Sequence, residues 1–226
     1  MGGFAIGSLA LPVGSGSGAL NLQSGTLRNV SEINGGAAIS KTGAGVLTLA
    51  GTNTFTGGVT VTGGLISVSA DAALGATSGP LVLNGGGLQV TGTAFTSWTN
   101  SSARTLTLSG ATTFNIADQA NTFTLGVSAI TAAGTFTKAG AGRLVVTNAL
   151  TMGAHALNVT AGTLVLENGF TNATGGSFRV GDSAGSNAAF VQTGGTTVLS
   201  QADGETILVG TGGNSFGSFT IAGGTF

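Results

Sequence analysis

The sequence of 226 residues contains no cysteine, two prolines and few charged residues. Without cysteine, the chain can form neither a disulfide framework nor a thiolate metal site. Charged residues make up 6% of the chain, compared with about 25% in an ordinary soluble domain. The six basic residues are scattered and the formal net charge is −1. The sequence therefore predicts no positive electrostatic field that would attract nucleic acid or an anionic membrane.

Long hydrophobic runs are also missing. No segment approaches the roughly 18 to 20 apolar residues that span a bilayer, so we expect no membrane insertion by this segment. The opening residues have an apolar middle but no positively charged start, and they do not resemble a signal peptide. If the protein is exported, its signal has been removed or lies upstream of this sequence.

Glycine is abundant, with 43 copies, and hydrophobic residues make up 41% of the chain. Disordered chains combine low hydrophobicity with high net charge, whereas the mean hydropathy here is +0.45. We therefore expect a folded chain that is long enough to bury a substantial core. Threonine, serine and asparagine would supply most of its polar surface.

Internal repeats give the clearest signal. The segment at residues 180–198 aligns without a gap with residues 209–226, at a period of 29 residues. A longer repeat relates KTGAGVLTL at residues 41–49 to KAGAGRLVV at residues 138–146, which lies 97 residues further on. Agreement at two separate spacings is not expected from composition alone.

A shorter unit underlies both repeats: two apolar residues separated by one residue, two or three small residues, and another apolar residue. Examples are VTVTGGL at residues 59–65 and LNVTAGTL at residues 157–164. The alternation has the period of a strand, and no window has helical periodicity. The glycines supply the positive φ that sharp corners need.

Two all-β architectures are compatible with this unit: an antiparallel sandwich or barrel, and a solenoid. The repetition of one strand–corner–strand unit favours the solenoid, in which equivalent positions stack from coil to coil. We predict a right-handed parallel β-helix of about 8 to 11 coils, roughly 40 to 50 Å long. We expect one continuous solenoid over residues 1–226, with an irregular first coil at about 1–20 and a protruding loop at 93–103.

The segment from Lys41 resembles the autotransporter-associated β-strand repeat, whose usual form begins K-x-G-x-G-x-L-x-L-x-G-x-N. The positions that match in place are Lys41, Gly43, Gly45, Leu47, Leu49, Gly51, Asn53, Phe55, Gly57, Val61 and Gly64. The family has leucine where this chain has Ile66, so Leu65 lies one register early. The second copy, from Lys138, keeps the opening but lacks the GTNTFTGG segment.

This resemblance implies a right-handed parallel β-helix in the exported passenger of an autotransporter or giant bacterial surface protein. It implies no catalytic residues and no cofactor. The sequence stops inside a repeat at Phe226, so we expect a fragment of a longer repeat protein.

Candidate site residues are few. We interpret one group of glycines as structural corner residues: Gly43, Gly45, Gly57, Gly63, Gly64, Gly140, Gly142, Gly162, Gly194, Gly195, Gly223 and Gly224. Polysaccharide lyases and hydrolases with a β-helix fold need clustered carboxylates. We interpret the acidic residues of this chain mainly as solvated residues at the corners. The alternative, for Asp182, Asp203 and Glu205, is a weak cation site.

The single histidine and the single tryptophan are further candidate site residues. His155 has no G-x-S-x-G elbow to serve, so we expect an exposed loop histidine. Trp98 and Phe95 could stack on carbohydrate, but we expect them to cover the core beneath an irregular loop.

These observations predict a structural, extracellular or cell-surface β-solenoid without enzymatic activity, acting as a stalk, fibre or coat component. Its partner would be itself, because uncapped coil ends can stack head to tail or laterally. An adhesin that binds a surface glycan is the alternative, and a polysaccharide-active enzyme is a remote one.

Overall fold

The structure is a computed structural model and describes residues 21–99, 104–127, 130–172, 175–199 and 207–225. Apart from two short 3-10 turns, Asn34–Gly36 and Asp71–Leu74, the regular elements in this part of the chain are β-strands. The strands are β1 Asn21–Leu22, β2 Gly25–Arg28, β3 Ile39–Lys41, β4 Val46–Ala50, β5 Val59–Val61, β6 Leu65–Val68, β7 Leu81–Leu83, β8 Gly87–Val90, β9 Ser97–Thr99, β10 Leu106–Leu108, β11 Thr112–Ile116, β12 Thr122–Gly126, β13 Ile130–Ala132, β14 Phe136–Ala139, β15 Arg143–Val146, β16 Leu150–Met152, β17 Leu157–Val159, β18 Gly162–Leu166, β19 Phe170–Asn172, β20 Phe178–Val180, β21 Asn187–Gln192, β22 Thr197–Leu199, β23 Ile207–Val209 and β24 Phe216–Ile221.

These strands form four parallel sheets, in which each strand pairs with its equivalent one coil away. The sheets are sheet I (β1-β3-β5-β7-β10), sheet II (β2-β4-β6-β8-β11-β14-β17-β20-β23), sheet III (β9-β12-β15-β18-β21-β24) and sheet IV (β13-β16-β19-β22). Sheet IV continues the side begun by sheet I, since the amide of Ala133 donates to the carbonyl of Leu108 at 3.4 Å. The predicted all-β solenoid of parallel strands is confirmed.

Sheet II contains nine strands, one from each coil. The sequence predicted about 8 to 11 coils. The right-handed sense of the coil stays a prediction. The predicted irregular first coil at residues 1–20 lies outside the described residues.

The core is a set of stacked inward ladders, which follow from the period-two alternation of the sequence. One ladder in sheet II pairs Ile66 with Leu88 and Leu88 with Phe114, and all three side chains are fully buried. Ile66, rather than Leu65, occupies the inward position opposite Leu47, so the strand keeps its register where the resemblance had indicated a shift. Each coil therefore buries its inward apolar side chains against those of the next coil.

The third side of the coil changes along the molecule. In the first coils it consists of irregular segments, at residues 29–38, 51–58 and 69–80. Buried Arg104 holds the last of these, because its guanidinium contacts Asp71 at 3.1 Å and donates to the carbonyls of Leu74 and Gly75. From β9 onward, the strands of sheet III form this side.

Sheet III begins at Trp98, where the sequence predicted a protruding loop at 93–103. Residues 97–99 form β9, and Trp98 pairs with Leu125 while remaining only 1% exposed. Phe95 is 7% exposed and packs edge-on against Phe123, with ring centroids 4.9 Å apart. The loop prediction was therefore wrong for residues 97–99, because a three-residue strand is too short to show alternation. Residues 100–103 lie outside the described part.

None of the helical turns in the described residues is long and apolar enough to cross a membrane.

Candidate functional site at the corners of the solenoid

Lys41 lies at an interior position, although lysine is rarely buried. It is the last residue of β3 and occupies the inward ladder of sheet I between Leu22 and Val61. Its side chain is fully buried. The aliphatic stem fills the ladder position, and the ammonium turns towards the corner between β3 and β4. There Nζ donates hydrogen bonds to the carbonyls of Thr42 at 2.6 Å, Gly43 at 2.7 Å and Gly63 at 2.8 Å.

Lys138 makes the same arrangement four coils further along. It occupies the inward ladder of sheet II between Phe114 and Val159 and is also fully buried. Its Nζ donates to the carbonyls of Ala139 at 2.7 Å, Gly140 at 2.8 Å and Ala161 at 3.0 Å. In both corners, two acceptors belong to the lysine's own coil and the third to the next coil. We call this arrangement the lysine corner.

An ammonium group has three donors, and each lysine corner supplies three carbonyl acceptors. Neither lysine has an ion-pair partner among the described residues, so carbonyl dipoles alone compensate the charge. Burial lowers the pKa of Lys138 to about 7 and also lowers the pKa of Lys41, because a low-dielectric site disfavours the charged form. The chemical capacity of the site is therefore structural: it joins two coils at a corner.

Two glycines make each lysine corner possible. Gly43 and Gly140 have φ of 68° and 75°, in the left-handed region that favours glycine. A Cβ on Gly64 would lie 2.2 Å from the carbonyl oxygen of Gly45. A Cβ on Gly162 would lie 2.3 Å from the carbonyl oxygen of Gly142. The glycine of the second coil thus packs directly on the lysine corner of the first.

The other predicted corner glycines fall into two groups. Gly195 and Gly224 have positive φ. The remaining ones do not, and a Cβ there would meet neighbouring chain at 3.2 Å or less; these are Gly45, Gly57, Gly63, Gly142, Gly194 and Gly223. The sequence predicted glycine at these corners because sharp corners need positive φ. Close approach between the backbones of neighbouring coils is a second reason for glycine there.

The two lysine corners lie on different edges of the solenoid. The corner after Lys41 joins sheet I to sheet II, whereas the corner after Lys138 joins sheet II to sheet III. The spacing of 97 residues therefore corresponds to four coils plus one side.

This role is absent from the predictions made from the sequence, in which both lysines count among the scattered basic residues. The signal that could have identified them is their spacing of two residues from an inward-facing residue of the same strand. Lys41 follows Ile39 by two residues and Lys138 follows Phe136 by two residues, so both lysines lie on the inward face.

Two further polar residues end inward ladders. Gln192 ends β21 and pairs with buried Leu166 in sheet III. Its Nε2 donates to the carbonyls of Gly195 at 3.0 Å and Thr225 at 3.2 Å, one in its own coil and one in the next. Asn172 ends β19 in sheet IV and is fully buried, and its side-chain amide has no hydrogen-bond partner among the described residues. Each sheet thus carries a polar side chain at the inward end of one strand.

A groove lies at the edge between sheets II and III, because successive corners there differ in length. The corners at 140–142 and 160–161 are short, whereas those at 117–121 and 181–186 are longer. The short corners form a recess of about 570 Å³, which the structure lines with Gln119 on one side and Asn187 on the other. A second recess of about 350 Å³ shares Thr160 with it. We call the two together the corner groove.

The candidate cation site is only partly described, since Asp203 and Glu205 lie outside the described residues. Both carboxylate oxygens of Asp182 accept hydrogen bonds, one from the hydroxyl of Thr211 and one from Arg179 at 2.7 Å. These two bonds lower the pKa of Asp182. The described residues hold no group of three or more metal-ligating side chains. His155 lies in the turn between β16 and β17, where it is half-buried rather than fully exposed.

The geometry defines a parallel β-solenoid with two lysine corners. Comparisons with known proteins match the segments that contain these corners. Residues 39–68 and 136–166 match the family described as Passenger-associated-transport-repeat. These are the two segments that contain Lys41 and Lys138, and the resemblance found in the sequence is confirmed. These two segments of the chain are therefore similar to passenger-associated-transport repeats.

One curated relative is the Adhesin BmaC autotransporter of Brucella suis biovar 1 (strain 1330). It is 33% identical over 156 residues, an alignment that covers 66% of this chain and 4% of that protein. The chain thus spans a small part of the relative that it matches. No solved structure gives a significant match.

Proposed function

We propose that the chain is a structural rod in an exported, cell-surface protein of the autotransporter passenger type. The observation that carries this proposal is the nine-strand parallel ladder of sheet II, which runs through both passenger-type repeats. Parallel stacking extends a rod by about 4.8 Å for each coil. The relative's description as an autotransporter adhesin supports export to the cell surface and a role other than catalysis.

Surface exposure is the direct test. Antibody raised against this chain is applied to intact cells that produce the parent protein, before and after treatment with external protease. We expect labelling of intact cells that disappears after the protease treatment. Labelling only after permeabilisation would refute the proposal.

Self-association extends the same proposal. The last described coil exposes large apolar side chains within its edge strands β22, β23 and β24. These residues are Val198, Ile207, Val209 and Phe216. A second copy of the chain would continue these ladders in register. Electron microscopy and sedimentation velocity at rising protein concentration test this, with filaments or longer rods as the expected result. Single short rods at every concentration would count against it.

Adhesion is the second candidate function. The name of the relative describes an adhesin, and the corner groove provides a polar recess on the side of the rod. A rod that carries a lateral groove can hold a ligand away from the cell surface without losing its structural role.

A further inference from the structure

The last described coil leaves its inward side chains uncovered. Ile207 and Val209 of β23 follow Phe178 and Val180 on the inward ladders of sheet II. Phe178 and Val180 are fully buried, whereas Ile207 is 45% exposed and Val209 is 37% exposed. The apolar core of the solenoid is therefore open to solvent at the end formed by β23 and β24, which we call the open end.

The open end also carries an unpaired edge of sheet III. The amide of Phe216 donates to the carbonyl of Ser186, and the amide of Ala222 donates to that of Gln192, both in the preceding coil. Since the bonding direction alternates along a strand, the odd-numbered residues of β24 direct their N–H and C=O groups to its other side. No described strand pairs with that side. An edge of this kind is a template for a further strand.

The first described coil, residues 21–38, differs from the open end. Leu27, on the inward ladder of β2, is 5% exposed, and none of the described residues of this coil is an exposed large apolar one. Its third side is the irregular segment at residues 29–38, which contains no strand to pair with β24. This coil also carries the charges of Arg28 and Glu32, whereas residues 207–225 contain no charged residue. The open end is therefore complementary to a second open end and not to the first coil.

We propose that a second copy of this chain docks on the open end, so that two rods meet through their open ends. This inference rests on the self-association proposed above and defines its geometry. A two-fold axis through the middle of β24 pairs this strand antiparallel with β24 of the second copy. The end of a solenoid rises as a spiral, and such an axis places the rising side of one end against the falling side of the other. The strands therefore stay about 4.8 Å apart around the contact, and the assembly closes at two copies.

Single-cysteine variants test this arrangement, because the chain contains no cysteine of its own. Ser218 lies near the middle of β24, where it pairs with Ala189. Thr26 is the matched control, as an exposed residue within β2 of the first coil. Under mild oxidation we expect Ser218→Cys to form disulfide-linked dimers at least tenfold faster than Thr26→Cys. Equal rates, or a faster reaction in a mixture of the two variants than in Ser218→Cys alone, would overturn the proposal.

Sedimentation velocity measures the same contact without a cross-link. We expect the unmodified chain to form dimers and no larger species as its concentration rises. Val209→Lys should raise the dissociation constant of the dimer at least tenfold, because it places one charge from each copy in the contact. Val46→Lys is the control and should leave the dimer unchanged, since Val46 is 42% exposed on β4, away from the open end.

The outcomes separate this inference from the proposals on which it rests. Filaments would support self-association but overturn the two-fold arrangement, because only contacts between unlike ends propagate. Single rods at every concentration would refute both. Labelling of intact cells tests the surface rod separately, so either result leaves that test intact.

Discussion

The two passenger-type repeats, residues 39–68 and 136–166, build the same corner in different surroundings. In the first repeat the lysine corner joins sheet I to sheet II, and an irregular segment with buried Asn53 and Phe55 forms the third side. In the second repeat the corner joins sheet II to sheet III, and strands form every side of the coil. The repeat therefore encodes a corner, and it does not encode the edge of the solenoid on which that corner lies.

The largest expected effect is common to both repeats. Gly64→Ala and Gly162→Ala should each lower the free energy of unfolding by about 3 kcal/mol or more, since a Cβ would overlap backbone of the preceding coil. The measurement is urea unfolding followed by circular dichroism. Gly92→Ala is the control, because Gly92 has a φ of 68° with no atom within 4 Å of an added Cβ. It should cost about 1 kcal/mol. Equal losses in all three variants would show that φ alone matters.

Removing the ammonium comes next. Lys41→Met and Lys138→Met keep an unbranched apolar side chain but leave three corner carbonyls without their donor. We expect each variant to lose about 2 to 3 kcal/mol of unfolding free energy. Arg143→Met is the matched control, since Arg143 is exposed beside the second corner. Unchanged stability in both lysine variants would mean that the lysine corner does not hold the coils together.

The third effect should be confined to the first repeat. Asn53 accepts from the amide of Val30 at 2.7 Å and donates to the carbonyl of Ala73 at 2.6 Å, which links three successive coils. Asn53→Ala should cost about 1 to 2 kcal/mol, as measured by urea unfolding. Thr54→Ala, at an exposed neighbour, should cost little. Since the second repeat has no GTNTF segment, this prediction isolates what is particular to the first.

The smallest effect is a dependence on pH. Burial lowers the pKa of Lys138 from 10.5 to about 7, so between these values the unfolded chain binds more protons than the folded one. Stability should therefore rise with pH in this window, by about 1 kcal/mol for each unit. Urea unfolding at pH 7.5 and 8.5 measures this rise, and Lys138→Met should reduce it. An identical rise in the variant would assign the dependence to other groups.

Much of the architecture follows from the sequence. Period-two alternation and repeated small-residue corners predict parallel stacked strands, and the KTGAG and KAGAG segments indicate the repeat. The start of sheet III does not follow, because Trp98 sits in a strand of three residues preceded by an irregular segment. The corner groove does not follow either. It depends on differences in corner length between coils that meet only after the strands are paired.

The lysine corner also bears on how such a rod forms. Lys41 reaches Gly63 across 22 residues, and Lys138 reaches Ala161 across 23, so each lysine needs only the next coil to complete its contacts. Solenoids propagate from a formed coil to its neighbour, because each coil contacts only the coils beside it. A growing end can thus be extended one coil at a time. The finished coil offers its edge strands for pairing, and the lysine bonds to the new coil once that coil has formed.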